Sequence, residues 1–80
     1  MKKETPINFH DLLGDGWVNV YEDIKGLRDK RFERKHSAVV VFFRHSRDKF
    51  IVLSRDNPTF DFPGCQTMEQ LRSLEQMLKG

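Results

Sequence analysis

The sequence predicts an α+β fold in which a small antiparallel sheet of two or three strands packs against an N-terminal and a C-terminal helix. Two apolar runs, "AVVVFF" and "FIVL", are rich in β-branched and aromatic residues and enclose the charged segment "RHSRDK", a pattern typical of a hairpin. On both sides of this hairpin, apolar residues recur at helical spacing. A chain of 80 residues forms one domain with a small core.

The N-terminal part of the chain begins without any periodic pattern. Residues 1–7 are therefore expected to be a mobile tail, ahead of a single domain over residues 8–80. Asn8 can cap a short helical turn, "FHDLL", which Gly14 ends.

The segment after Gly14 has two interpretations. Its apolar residues follow the spacing of an amphipathic helix: Trp17, Val20, Tyr21, Ile24 and Leu27. This spacing favours a helix over residues 16–34, with Phe32 on the same side, although Gly26 costs such a helix about 1 kcal/mol relative to alanine. The alternation in "WVNVY" fits a strand over residues 17–21 instead.

Both faces of the predicted hairpin are apolar. In the first strand, alternation separates Val39, Val41 and Phe43 from Val40 and Phe42; in the second, it separates Phe50 and Val52 from Ile51 and Leu53. A two-stranded ribbon is marginally stable in water, so each face needs cover from helices, another strand or a second chain. The segment "PTFDF", residues 58–62, is the candidate for a third strand.

The C-terminal segment "TMEQLRSLEQMLKG" predicts a helix. Thr67 and Gln70 have the spacing of a capping box at its start. The apolar stripe behind this box has helical spacing: Met68, Leu71, Leu74 and Leu78.

The composition argues against an enzyme. Cys65 is the only cysteine, which excludes an internal disulfide, and the three histidines have no metal-ligand spacing. A helix dipole can lower the pKa of a thiol in the position of Cys65, but no base is located near it, so a space-filling role is favoured. No glycine-rich phosphate-binding motif is present. The sequence predicts no catalytic residue, no metal and no cofactor.

One order of segments resembles an enzyme family. The succession "VVVFF", "FIVLSRD" and "FDFPG" before a helix is loosely similar to the opening of a Nudix hydrolase domain. The helix segment "CQTMEQLRSLEQMLKG" lacks the paired Arg-Glu and Glu-Glu positions that hold magnesium in that family. We therefore do not assign the chain to it and transfer no residue roles.

The charges are unevenly distributed. Residues 25–55 contain ten lysines and arginines against three acidic residues, although the whole chain has a net charge of only +2. Because each cation can neutralise a phosphate, this region predicts a nucleic-acid-binding surface formed by the end of the first helix and the hairpin turn. The candidate residues are Lys25, Arg28, Lys30, Arg31, Arg34, Lys35, Arg44, Arg47 and Lys49.

The predicted function is a small non-enzymatic binding or regulatory module that engages nucleic acid or an acidic protein surface. Arg28, Arg31 and Arg47 are the candidates for bidentate base contacts. An ordinary solvated helix face explains the same charges about as well.

A protein partner is the alternative. The chain then acts as an interaction module, as an inhibitor that occludes a larger, nucleic-acid-processing protein, or as a homodimer. Trp17, Tyr21 and Phe32 would be the interface anchors, although core positions suit them better. No apolar run approaches the roughly 20 residues that span a bilayer, so we expect a cytoplasmic protein without membrane contact.

Overall fold

The computed structural model describes residues 4–79, which form two helices and a four-stranded antiparallel sheet. In chain order the elements are α1 (Phe9–Gly14), β1 (Val18–Asn19), β2 (Lys30–Glu33), β3 (Val39–Arg44), β4 (Lys49–Ser54) and α2 (Met68–Lys79). The strands are ordered β1-β2-β3-β4, so each pairs with the next along the chain. The predicted α+β class is confirmed, but the sheet has four strands rather than two or three.

The predicted hairpin is confirmed as β3 and β4. Val41 pairs with Val52 at its centre, and Arg44 pairs with Lys49 at its end. A short 3₁₀ turn over His45–Arg47 joins the strands, and Asp48 closes it with a φ of 48°. Aspartate tolerates this left-handed conformation better than most residues, which fits the chain reversal at this point.

The predicted helix over residues 16–34 is wrong. Residues 18–19 and 30–33 are strands, and the segment between them, residues 20–29, runs through successive turns. Gly16 and Gly26 have φ values of 92° and 78°, which are incompatible with a right-handed helix. The alternative strand interpretation of residues 17–21 is confirmed for Val18–Asn19, which pairs with β2.

Burial explains why the helical spacing of the apolar residues led to a wrong prediction over residues 16–34. A helix over this segment would bury its whole apolar stripe, whereas Val20, Ile24 and Leu27 are 46%, 48% and 40% exposed. Trp17, directly before β1, and Phe32 on β2 are each only 2% exposed, because both pack into the core. Pairing with β3 therefore outweighed the local helical pattern.

The two sides of the sheet have different neighbours. One side, called the inner face below, is covered by α1 and α2 and carries the strand residues Phe32, Val39, Val41, Phe43, Phe50 and Val52. Leu12 of α1 and Met68 and Leu71 of α2 pack into the same core. Each fully buried side chain of this size contributes about 1.5–3 kcal/mol.

The opposite side, called the outer face, holds the side chains that alternate with these. Its positions on β2, β3 and β4 and directly after β4 are Arg31, Glu33, Val40, Phe42, Arg44, Lys49, Ile51, Leu53 and Arg55. The predicted division of the hairpin residues into two sets is confirmed by this alternation.

The predicted third strand over residues 58–62 is reduced to one bridge. Asp61 pairs with Leu53, and the flanking backbone bonds run from Ser54 N–H to Phe60 C=O and from Phe62 N–H to Val52 C=O. The turn at Pro63 and Gly64 takes the chain away from β4 immediately afterwards, so the pairing does not extend into a strand.

The C-terminal helix begins as predicted. Thr67 Oγ1 accepts from Gln70 N–H at 3.1 Å, and Gln70 Oε1 accepts from Thr67 N–H at 3.1 Å, which forms the reciprocal capping box. Asn8 likewise caps α1, because its Oδ1 accepts from Asp11 N–H at 2.9 Å.

Part of the expected N-terminal tail is packed on the fold. Residues 1–3 lie outside the described part of the chain. Ile7 is buried, and its N–H donates to Gln66 C=O, while Met68 N–H donates to Thr5 C=O. These bonds attach residues 5–7 to the start of α2. Within residues 4–79, neither helix combines the length and apolar character that crossing a bilayer requires.

Candidate nucleic-acid interface

The nine predicted binding residues fall into separate groups because the helix expected to carry them is absent. Lys25 and Arg28 lie on the exposed loop between β1 and β2, and Arg47 lies on the exposed turn between β3 and β4. Arg31, Arg44 and Lys49 are on the outer face. Lys30 and Arg34 are on the helix-covered side, and Lys35 is in the connection between β2 and β3.

Apolar residues form the centre of the outer face. Phe42 stands between Arg31 on β2 and Ile51 on β4, and Val40 pairs with Leu53 one step further along. Phe42, Ile51 and Leu53 are partly exposed. Val40 is 1% exposed although it is not part of the core cluster under the helices. Cations therefore surround a compact apolar strip.

Two of these cations share one carboxylate. Arg31 Nε lies 2.9 Å from Glu33 Oε2, and Arg55 lies 3.9 Å from Glu33 Oε1. The Arg31 and Glu33 side chains are 29% and 28% exposed. Because this pair is open to solvent, its attraction is screened and both arginines remain accessible to another anion.

Arg44 and Lys49 face each other at the turn end of the outer face. They are direct partners across β3 and β4, and both are exposed. Like charges placed directly opposite each other on a sheet repel and lower stability. Among the described residues, neither side chain has a carboxylate within ion-pair distance. An anion bound between them would remove this repulsion.

The loop between β1 and β2 lies at the same end of the sheet. Asp29 Oδ1 accepts from His45 N–H at 2.9 Å, which ties this loop to the turn between β3 and β4. The exposed residues of this end are mixed in charge: Lys25, Arg28 and Arg47 with Glu22, Asp23 and Asp48. The net positive charge is therefore concentrated on the outer face rather than on the loop.

Arg34 has a structural role on the helix-covered side. Its guanidinium lies 2.9 Å from Glu75 of α2, donates to Asp15 C=O at 3.2 Å and lies 5.4 Å from the centre of the Trp17 ring. These contacts hold α2 against the end of β2. Within residues 4–79, Glu75 Oε1 is buried without a hydrogen-bond partner, so Arg34 is the cation that compensates this carboxylate.

Lys30 and Lys35 are also away from the outer face. The Lys30 Nζ atom lies 5.8 Å above the Phe9 ring on the helix-covered side. Lys35 is exposed in the connection between β2 and β3, at the opposite end of the sheet from Lys49. An exposed lysine in this position provides a natural comparison for the outer-face cations.

The three aromatic residues considered as protein-binding anchors have separate positions. Trp17 and Phe32 belong to the core, which is the alternative role that the sequence analysis gave them. Tyr21 is partly exposed, and its ring centre lies 6.3 Å from that of Phe42 at an interplanar angle of 85°. The two rings form an edge-to-face pair at the centre of the outer face.

β4 is an edge strand, and the edge that points away from β3 is hydrogen-bonded along only part of its length. Val52 C=O and Ser54 N–H bond to residues 60 and 62, and alternation points the backbone groups of Phe50 to the same edge. Within the described chain, no such bond continues to Phe50. Beside it is a groove of about 380 Å³, whose apolar lining includes Ile7, Phe50, Val52, Phe62 and Cys65.

Cys65 is poorly suited to nucleophilic chemistry. Burial raises the pKa of its thiol, and the nearby negative charge of Glu75 raises it further. The thiol is therefore less ionised at neutral pH than an exposed cysteine, contrary to the effect that a helix dipole alone would have. Across residues 4–79, no cluster of three or more His, Cys, Asp or Glu side chains has a geometry that could hold a metal ion.

Comparisons with protein-family models, with curated proteins and with solved structures found no match to this chain.

Two residues of the outer face were missing from the predicted binding set. Arg55 follows Leu53 at a spacing of two, and Phe42 precedes Arg44 at the same spacing. Extending the strand alternation to charged positions would have identified both, because it places Arg44, Lys49 and Arg55 on the side of Phe42. The assumed helix directed attention to residues 25–35 instead.

Proposed function

We propose that this chain is a small non-enzymatic binding or regulatory module that engages nucleic acid through the outer face of its sheet. The observation that carries the proposal is the direct opposition of Arg44 and Lys49, exposed and without a described carboxylate partner. A protein that only had to fold would be more stable with an opposite charge at one of these positions.

The surroundings of this pair add further positive charge. Arg31 and Arg55 lie on the same face and share the carboxylate of Glu33. Asp61, which pairs with Leu53, adds a second carboxylate to this face. Four cations against two carboxylates give it a positive potential that attracts a polyanion and speeds its association. Each phosphate contact releases condensed counterions, so affinity for nucleic acid depends on the concentration of salt.

The test is a titration of the purified protein against random duplex DNA and single-stranded RNA at roughly 50 and 200 mM salt. With about four phosphate contacts, we expect affinity to fall on the order of 100-fold between these conditions. Lys49→Ala should weaken binding and lower the salt dependence, because it removes one of these contacts. Absence of binding at the lower salt concentration would refute the proposal.

The matched control is Lys35→Ala. This substitution removes the same charge from an exposed lysine at the opposite end of the sheet. It should reduce affinity much less than Lys49→Ala. Equal losses in the two variants would mean that net charge alone governs binding and that the outer face has no particular role.

A protein partner that adds a strand to β4 is the second candidate function. The unpaired backbone edge at Phe50 and the apolar groove beside it favour it, because an extended segment can pair with the edge and place a side chain in the groove. For a homodimer, sedimentation should show association as concentration rises, with slower hydrogen exchange at the Phe50 amide. A monomer with an exchanging Phe50 amide at every concentration would exclude self-association.

A further inference from the structure

The aromatic pair on the outer face has no evident part in holding the helices to the sheet. Phe42 and Tyr21 are both partly exposed, and they contact each other on the side of the sheet opposite the core. The core beneath the helices contains other aromatic rings, with Phe9 packed against Phe32, Phe43 and Phe50. The exposed pair is therefore available to a ligand.

Cations lie on both sides of this aromatic pair along the strands. Arg44 and Lys49 are at one end of the outer face, and Arg55 bonds through its backbone to Ala38 at the other. The six residue-to-residue steps from Ala38 to Arg44 span about 20 Å at the rise of a β-strand. Arg31 lies beside Phe42, between these ends and nearer to Arg44. A chain with regularly spaced negative charges can follow this track.

We propose that the ligand of the outer face is single-stranded nucleic acid, with an unpaired base stacked on Phe42 or Tyr21 and its phosphates bound by Arg44, Lys49 and Arg55. This inference rests on the proposed nucleic-acid-binding function and specifies its substrate. Base-aromatic stacking is tolerant of sequence, because every base has a flat π-face.

A duplex fits the same surface less well. Its bases are stacked on one another, so they offer no free face to Phe42 or Tyr21. The major groove, about 12 Å wide, admits an α-helix or a two-stranded ribbon. Here β3 and β4 are flanked by β2, and β2 by β1, so the hairpin is part of a sheet too broad to enter that groove. A duplex could use only the cations.

The experiment compares labelled oligonucleotides of about 12 nucleotides, within the site sizes of single-strand-binding folds. Oligo-uridine and oligo-thymidine single strands and a mixed-sequence DNA duplex of equal length are titrated by fluorescence anisotropy at roughly 50 mM salt. We expect tighter binding of the single strands. Phe42→Leu should weaken their binding by roughly 5- to 150-fold, the effect of losing one stacked base, and should change duplex binding little.

Two further variants keep this test interpretable. Phe60→Leu is the matched control, because Phe60 is an aromatic residue, 59% exposed, outside the outer face. It should leave single-strand affinity unchanged. Tyr21→Leu tests the second ring independently, on a loop where a leucine should not disturb the strands. Thermal unfolding of each variant verifies that it is folded.

The outcomes separate this inference from the proposed function. Equal affinity for single strands and duplex, with Phe42→Leu and Tyr21→Leu both neutral, would overturn the stacking inference and leave phosphate binding intact. No binding of either nucleic acid would overturn both. A single-strand preference that is lost in the aromatic variants and retained in Phe60→Leu would support the inference.

Discussion

The inner and outer faces of the sheet are built from the same strands but differ in what covers them. On β2, Phe32 is 2% exposed beneath the helices, whereas its neighbours Arg31 and Glu33 have side chains that are 29% and 28% exposed. On β3, Val41 is fully buried in the core and the adjacent Phe42 is partly exposed. Successive residues of one strand therefore have different environments. One side chain packs in the core, and the next contacts solvent or a ligand.

The largest expected difference between the faces is in the stability cost of removing a phenylalanine. Phe32→Ala should lower the free energy of unfolding by about 3–5 kcal/mol, because it opens a cavity in the core. Phe42→Ala should cost about 1–2 kcal/mol, since the ring is already partly hydrated. Urea denaturation of both variants measures the difference.

Equal costs at these two positions would contradict the expected difference between the faces, because they would mean that Phe42 is as essential to packing as Phe32. A small domain has a total stability of about 4–12 kcal/mol, so Phe32→Ala can prevent folding. Phe32→Leu then provides a folded variant, whose smaller cavity should still cost more than Phe42→Leu.

Arginines on the two faces should also behave differently. Arg34→Ala leaves the buried Glu75 carboxylate without its ion-pair partner and should cost about 1–3 kcal/mol. Arg44→Ala relieves repulsion with Lys49 and should change stability by no more than about 0.5 kcal/mol. Denaturation midpoints measure both effects.

Nucleic-acid binding should show the reverse order. Arg44→Ala should lose affinity, and Arg34→Ala should keep it at a temperature where that variant is folded. A loss of affinity in folded Arg34→Ala that matched the loss in Arg44→Ala would contradict the division of these arginines between packing and binding.

The inner face also depends on how α2 begins. Thr67→Ala removes the acceptor for Gln70 N–H and should cost about 1 kcal/mol, because the helix that covers the core loses its cap. Ser73→Ala, at an exposed position inside α2, is the control and should be close to neutral. Thermal unfolding compares the two. Equal effects would indicate that the capping box contributes nothing beyond helix propensity.

The parts of the fold that follow from local chemistry were predictable. The capping box of α2, the Asn8 cap and the β3–β4 hairpin each depend on residues within a few positions of one another. The alternation of Val39 to Phe43 also located the two faces. In these segments, the local conformational preference of the residues agrees with tertiary packing. Structure can be predicted from sequence where the two agree.

Residues 16–34 were not predictable in the same way. Their apolar spacing fits a helix, yet β2 forms because Phe32 pairs with Val41, nine residues away, and enters a core that the spacing alone does not reveal. For this reason the nine predicted binding residues are divided among separate parts of the fold. The cations of the outer face come together through strand pairing. A helix over residues 16–34 could not have predicted that Arg31 pairs with Phe42.

The smallest expected effect concerns the segment that closes the inner face near α2. Thr5 N–H donates to Glu69 Oε1 at 2.8 Å. This bond lowers the pKa of the Glu69 carboxyl below its ordinary value, as do its own backbone N–H and the charge of Arg72. Because the folded state favours the ionised carboxylate, the contribution of Glu69 to stability is present above the unfolded pKa, about 4.3, and is lost as pH falls through the lower folded pKa.

Glu69→Gln should therefore lower stability slightly at neutral pH, and its difference from the unmodified protein should shrink as pH falls below about 4. Urea denaturation across this pH range measures the effect. Glu22→Gln, in the exposed loop before β2, is the control and should show a smaller difference at neutral pH. A pH-independent difference for Glu69→Gln would contradict this prediction, because it would mean that ionisation of Glu69 does not contribute to stability. Because Glu69 lies away from the outer face, nucleic-acid affinity should be the same in both variants.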